Sequence, residues 1–445
     1  MRVKVEVGAL RDAVEQARAT IDNTIPTFAG LYLEASHATN GNGRIRVYSQ
    51  KPCARMLVAI PAEVEVEGRV VIRPDQLLTG LKGHSSSDLV GLTLIQSQKQ
   101  GDKKEDGGRL SGVVNNRSRF KCAILTGASL FADQIAKLPL NGTNGSKFNA
   151  TVLADVIKKV AWCANTSEVQ KSVIDSLGFK RTEQGFRVYA TDGFIAARVS
   201  VNTELYPEEM TIPRLPLELL QKILGKHSAA EISVIKGNVA GGEYRELYFK
   251  MDELFYGAST SSQVMPNIET VFLDENRMPT RKVIVSRNLL QDMLGRLVGF
   301  ADKAAPVIHF SLLDDNLKLS TASADGDCEE ELPIAYTGDS KYKTGETEVS
   351  IGYRFIHGFL SSISNDLITL GFRDEVSPMT VSDEGNDDIN TRYIIMFIRP
   401  KVEVPPVPDA PVAVAVAVTV VPPVAEEKAN EEQDDEIPFP TDVGA

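Results

Sequence analysis

One apolar spacing recurs three times along this chain. Val5, Leu10 and Val14 open the first copy, Phe148, Leu153 and Ile157 the second, and Val285, Leu290 and Leu294 the third. Each is an apolar residue followed by a gap of five and a gap of four. A second pattern trails each copy: Leu77-Leu78 with Leu81, Leu219-Leu220 with Ile223, and Phe355-Ile356 with Phe359. Its offsets from the first apolar residue are 72, 71 and 70. A period of about 140 residues is too long for a solenoid unit and matches a domain. Three similar domains in tandem point to a curved or ring-shaped assembly.

Every copy reads the same way. An opening strand runs into an amphipathic helix, short alternating strands follow, and a second helix precedes more strands. The predicted helices are Ala9–Ile21 and Pro74–Lys82, Thr151–Ala164 and Pro216–Gly225, and Ser286–Phe300 and Tyr353–Ser361. Pro74 and Pro216 suit a first turn, Gly83 and Gly225 an end, and Ser286 an N-cap. Strand-like runs are Arg44–Tyr48, Arg69–Ile72, Phe186–Ala190, Glu231–Ile235, Val307–Leu312, Leu317–Ser320, Leu367–Phe372 and Arg392–Ile398. The fold class is therefore α+β, three tandem domains with two helices each and mostly antiparallel sheets. The domains are expected at 1–140, 147–273 and 281–400. Asn141–Ser146 and Asp274–Arg281 serve as linkers, and Ser97–Gly108 is a charged loop. Beyond Pro400 the composition shifts to proline, Ala-Val alternation and then acid, so 401–445 reads as a disordered tail.

The four cysteines, Cys53, Cys122, Cys163 and Cys328, are scattered, which suits a reducing cytoplasm better than a disulfide framework or a zinc site. No segment is long and apolar enough to span a membrane, and the N-terminus reads as a strand rather than a leader. The net charge of −12 argues, taken alone, against nucleic acid. Ten acidic and two basic residues in 401–445 carry −8 of it, leaving −4 on the body. Where the basic residues sit then matters more than the total.

Particular residues carry a resemblance. They are Thr24-Ile25-Pro26, Tyr189-Ala190-Thr191-Asp192-Gly193, Thr211-Ile212-Pro213-Arg214, Met265-Pro266-Asn267-Ile268 and Tyr393-Ile394-Ile395-Met396-Phe397-Ile398-Arg399. No one of these motifs is specific alone. In this order, on three repeats of this size, residues 1–400 resemble the bacterial-type DNA sliding clamp, the DNA polymerase III beta subunit family. The resemblance implies a processivity factor with no catalytic site, no cofactor and no metal. It implies a head-to-tail homodimer whose six domains close a ring, with helices lining the hole around duplex DNA. The implied partners are double-stranded DNA without sequence preference, a second copy of the chain, a replicative DNA polymerase, a clamp-loader ATPase and other clamp-binding repair proteins.

The six helix segments, taken with their flanks as 8–21, 73–83, 151–163, 216–226, 286–299 and 352–362, test that reading. They hold eleven basic residues, Arg11, Arg18, Arg73, Lys82, Lys158, Lys159, Lys222, Lys226, Arg287, Arg296 and Arg354, against six acidic ones. The segments carry +5 and the rest of the body −9. Flexible cations that meet phosphates without reading bases give weak, salt-dependent affinity, which suits sliding. Lys171, in the loop after the second domain's first helix, joins the candidate DNA contacts. The plainer alternative is that these are ordinary solvated helix faces.

By resemblance, partner peptides would enter an apolar groove between the second and third domains. Its residues would be Val173, Thr191, Gly193, Phe194, Ile195, Ala196, Pro266, Val271, Phe355, Ile394, Met396, Phe397, Ile398 and Arg399. The family commonly has His-Arg where this chain has Phe194-Ile195, and Met-Pro-Met where it has Met396-Phe397-Ile398, so this groove is more apolar. The segment Asp434-Asp435-Glu436-Ile437-Pro438-Phe439 resembles the acidic tip of bacterial single-stranded DNA-binding proteins, without the terminal carboxylate. It reads as a docking motif, as an occupant of the groove, or as a solvated tail. Ring closure would use Leu289, Leu290 and the loop Ala301–Pro306.

Enzyme readings find no support in the motifs. There is no phosphate-binding Gly-rich loop ending in Lys-Ser/Thr, and His37, His84, His227, His309 and His357 lack metal-ligand spacing. Asp192 has no second carboxylate near it in sequence and reads as a turn residue satisfying backbone amides. The competing classes are a three-domain metal-dependent nuclease and a non-DNA scaffold on the same fold.

Overall fold

Helix starts in this chain are set by local hydrogen bonding. In a computed structural model, α1 (Val7–Arg18) has no side-chain cap. Its first amides donate instead to the backbone, Val7 N–H to Asp88 O at 2.8 Å and Gly8 N–H to Ser86 O at 2.9 Å. Only glycine fits there, since a Cβ on residue 8 would lie 2.7 Å from Ser86 Cβ. The helix α2 (Pro74–Leu81) starts on proline as expected, and Gly83 beyond its end takes φ +79°. The first domain ends in α3 (Ala128–Ala136), a helix the sequence pattern did not suggest.

In the second domain, Asn149 caps α4 (Ala150–Ala161) by accepting from the amides of Thr151 and Val152. The next helix, α5 (Arg214–Leu224), begins two residues before Pro216. A five-residue α6 (Glu269–Leu273) follows. In the third domain, Ser286 caps α7 (Arg287–Leu297) through Leu289 N–H, and α8 (Tyr353–Ser362) matches expectation to one residue. The structure describes residues 1–37, 41–95, 108–125, 127–136, 138, 146–164, 173–203, 209–239, 242–261, 263–273, 279–313, 315–337, 347–375, 377–383 and 389–398. The loop at 97–108 but for Gly108, most of both linkers and the whole tail lie outside them.

The strands are antiparallel throughout. Within residues 1–399, strand pairing crosses both domain boundaries. Leu254–Ser259 pairs with Ala54–Pro61, fusing sheets of the first and second domains. Ile195–Val201 pairs with Ile389–Ile395, fusing the second and third. The expected last strand ends at Ile395, and Met396–Ile398 leave the sheet.

The helices pack in pairs, α1 with α2, α4 with α5 and α7 with α8. The pairs also meet one another. A notch is lined by Glu15, Gln16 and Ala19 at the end of α1 and by Leu219, Lys222 and Ile223 of α5. Across the next boundary α4 packs on α8. The result is one helical layer, α2-α1-α5-α4-α8-α7, carried on the sheets. Among the described residues no helix is long and apolar enough to cross a membrane.

The α4–α8 seam is tightly built. Trp162 follows α4 and donates from Nε1 to Lys159 O at 3.0 Å. Its ring lies 5.6 Å from that of Tyr393, whose hydroxyl also donates to Lys159 O. The Trp162 ring covers Gly358 of α8 so closely that a Cβ there would lie 2.3 Å from it. The two unpredicted helices cover aromatic or charged groups that the outer sheet faces would otherwise expose. Phe131 of α3 packs on Tyr32 and Tyr48. In α6, Glu269 pairs with Arg187 and Arg198, and Phe272 lies beneath the Arg198 guanidinium.

Candidate nucleic-acid and partner interfaces

The basic residues separate by domain. On α1 and α2, Arg11, Arg18 and Lys82 line one surface hollow of about 340 Å3 with Glu15 and Asp75. Arg18 is exposed and paired with Asp75 at 2.9 Å, and Arg11 reaches Ser86 Oγ. Arg73, ahead of α2, is exposed. On α5 and just after it, Lys222 and Lys226 line the α1–α5 notch with His227. Lys158 is exposed on α4. Among the described residues, no ion pair forms to Arg73, Lys82, Lys158, Lys222 or Lys226.

Four expected DNA contacts are placed differently. Lys159 is 4% exposed, facing the α4–α8 seam, with Asp155 at 3.1 Å and Asp383 at 3.4 Å. A helix turns by about 100° per residue, so Lys158 and Lys159 cannot share a face. Arg287 lies back on its own domain, donating to Asn365 O, Leu360 O and Gln291. Arg296 makes a fork-to-fork pair with Glu330, which holds that carboxyl below the usual carboxylate range. Arg354 is exposed but paired with Asp192 at 2.9 Å and stacked on Phe355. Lys171 lies outside the described residues.

The Thr191–Ile195 turn is built by its own side chains. Asp192 Oδ1 accepts from the amides of Phe194 and Ile195, each at 2.9 Å, as a turn residue should. Thr191 Oγ1 bridges Gly193 N–H and Ile195 O, and Gly193 takes φ +92°. The free Asp192 oxygen holds Arg354, tying this second-domain turn to the start of α8.

That turn thrusts Phe194 into solvent at 61% exposure. Beside it Met396 N–H donates to Phe194 O, and Met396 and Ile398 are 39% and 42% exposed. Phe355 and Ile398 crowd the same point above Gly352. Thr191, Gly193, Phe194, Phe355, Met396 and Ile398 thus surround one apolar surface, and Phe355 and Phe397 are both partly buried against the core.

The other groove candidates lie elsewhere. Ile195 is 2% exposed in the main core. Ala196 and Ile394, cross-strand partners on the opposite sheet face, are buried with Met265, Ile268 and Phe272, and Val271 packs against that cluster. Strand alternation sends neighbours to opposite faces, so a run of candidates from 194 to 196 could not all face one groove. Pro266 is exposed. Of Val173 only the backbone is described, and Arg399 and the motif 434–439 lie outside the described residues.

Sequence reasoning passed over two sheet edges. Ser118–Leu125 pairs with Gly68–Ile72 only at Ile124 and Leu125, leaving an open edge with Arg119 and Lys121 exposed. Gly326–Pro333 ends its four-stranded sheet with Asp327, Glu329 and Glu331 exposed. The signal was the alternation of like charges in each run. Leu290, expected at an interface, is wholly buried, whereas Leu289 is exposed. Among the described residues, no three His, Cys, Asp or Glu side chains converge on a metal site.

Comparison with known proteins agrees with this geometry. Residues 277–399 match the family model described as DNA polymerase III beta subunit, C-terminal domain. No curated protein matches the sequence. Among solved structures, a DNA polymerase III beta subunit from Thermotoga maritima superposes with a TM-score of 0.72 at 18% identity, covering 90% of this chain and 99% of that one. A sliding clamp from Pseudomonas aeruginosa gives 0.71 at 16%, covering 90% and 100%. One from Bartonella birtlesii, bound to griselimycin, gives 0.71 at 17%, again covering 90% and 100%. The chain has the sliding-clamp fold, and it resembles the bacterial-type clamp.

Proposed function

We propose that this chain, with its sliding-clamp fold, is a DNA sliding clamp that encircles duplex DNA and tethers a replicative polymerase to it. The observation that carries the reading is the continuous helical layer, which presents cations on or flanking α2, α5 and α4 that form no ion pair among the described residues. Long lysine and arginine side chains bind phosphates without reading sequence, so the duplex is held yet can move. The chain does no chemistry of its own; tethering acts by raising the polymerase's effective concentration at the template.

Two copies would close the ring head to tail, the first domain of one against the third of the other. The basic open edge at Arg119 and Lys121 complements the acidic one at Glu329 and Glu331. Joining unlike edges makes a heterologous contact that closes when the rotation allows. A loader ATPase would open the ring. Polymerase and repair partners would insert short apolar peptides at Phe194, Met396 and Ile398, where methionine and aromatic side chains adapt to varied ligands.

The experiment is retention on circular against linearised plasmid after loading, at moderate salt. Retention on circles with run-off from linear DNA is expected. Equal retention on both means surface binding and refutes encirclement.

A further inference from the structure

The cations of the helical layer are distributed unequally. In the third domain every candidate is engaged: Arg287 by carbonyls, Arg296 by Glu330 and Arg354 by Asp192. With Asp292 also exposed on α7, that arc presents three cations against three carboxylates. The first two domains differ. The α1–α2 hollow and the α1–α5 notch are contiguous, because Glu15 is a wall of both. Together they hold Arg11, Arg18, Lys82, Lys222 and Lys226 against Glu15 and Asp75, a net of +3.

From this geometry we propose that the duplex phosphates are gripped at the seam between the first and second domains, and that Glu15 limits that grip. The proposal rests on the clamp reading and says which arc of the pore holds the DNA. Asp75 is already spent on Arg18, whereas the Glu15 carboxylate makes no ion pair or hydrogen bond among the described residues. Its charge faces both hollows, where an approaching phosphate meets like charge. A phosphate at the notch exchanges counterions with Lys222 and Lys226, while one passing α7 finds charges already balanced. The ring would carry two such seams, one per chain, and DNA would lean toward them.

The test is the affinity of the full-length protein for a fluorescent blunt duplex, measured by anisotropy between about 50 and 200 mM salt. Lys222→Ala with Lys226→Ala should make the slope of log affinity against log salt shallower by about two units. Glu15→Gln should tighten binding several-fold at fixed salt. Arg296→Gln should leave both readouts unchanged. Melting temperatures confirm that each variant is folded. An Arg296→Gln slope that falls as far as a lysine variant's overturns the proposal, as does a Glu15→Gln protein that binds no tighter. Salt-independent binding by the unsubstituted chain overturns the clamp reading itself, and this inference with it.

Discussion

Lys159→Met separates a structural lysine from a DNA contact. The ammonium is buried between Asp155, which is about one-third exposed, and Asp383, which is 2% exposed. Losing the cation lets Asp155 rehydrate, but Asp383 stays buried with Asn365 as its remaining side-chain partner among the described residues. Removing one partner of a buried ion pair costs about 3–5 kcal/mol, most of it the stranded charge. Lys159→Met with Asp383→Asn removes that charge, keeps an acceptor for Asn365 and should recover most of the loss. The coupling between the two changes should be about 0.5–3 kcal/mol. Urea unfolding followed by tryptophan fluorescence reads this directly, because the chain's one tryptophan, Trp162, donates to Lys159 O at the same seam. DNA affinity of the folded variant should match the parent. A Lys159→Met protein of unchanged stability but weakened DNA binding would return this lysine to the pore and refute the seam assignment.

Other expected outcomes follow from the same contacts. Gly358→Ala gains about 1 kcal/mol of helix propensity but drives a Cβ into the Trp162 ring, where overpacking costs about 1–3 kcal/mol; a lower melting temperature and altered Trp162 emission are expected. Asp192→Ala frees two amides and Arg354 together, so it should loosen the Phe194 turn and weaken binding of an apolar clamp-binding peptide, measured by titration calorimetry, several-fold. Arg296 holds the Glu330 carboxyl below its ordinary value of 4.5. A depressed carboxyl contributes stability above its unfolded value and loses it as pH falls through the folded one. The melting temperature should therefore drop below about pH 4.5, and Arg296→Gln should flatten that part of the profile. Burial lifts the Cys122 thiol to about 11 and Cys163 well above its usual value, so both should resist alkylation in the native protein while half-buried Cys53 and Cys328 react first.

Helices were legible where a period of 3.6 met a capping residue. Pro74 at the first position of α2 and Ser286 capping α7 fix starts that apolar spacing alone would leave loose. Pro216 misled by two residues because proline is tolerated anywhere in a first turn, not only at its first position. Both missed helices, α3 and α6, are short and cover outer sheet faces. Their apolar residues look like linker residues until Tyr32, Tyr48 and Arg198 are seen to need covering.

Side-chain placement was less legible for a different reason. Counting charge by segment treats Lys158 and Lys159 as equals, yet one residue of rotation puts one in solvent and the other against Asp383. Arg287, Arg296 and Arg354 are basic in sequence, and only long-range partners at 365, 330 and 192 reveal that each is committed. The groove candidates divide in the same manner: alternation on the strand from 195 sends Ile195 into the main core and Ala196 into the buried cluster on the opposite sheet face, leaving Phe194 and the chain leaving the sheet at Met396 to form the exposed surface. A local pattern therefore predicts which element a residue joins far better than which face it serves, because the face is set by partners 34 to 224 residues away. Residues whose sequence neighbours already fix their geometry, as at Thr191-Asp192-Gly193, are the ones that local reading places correctly.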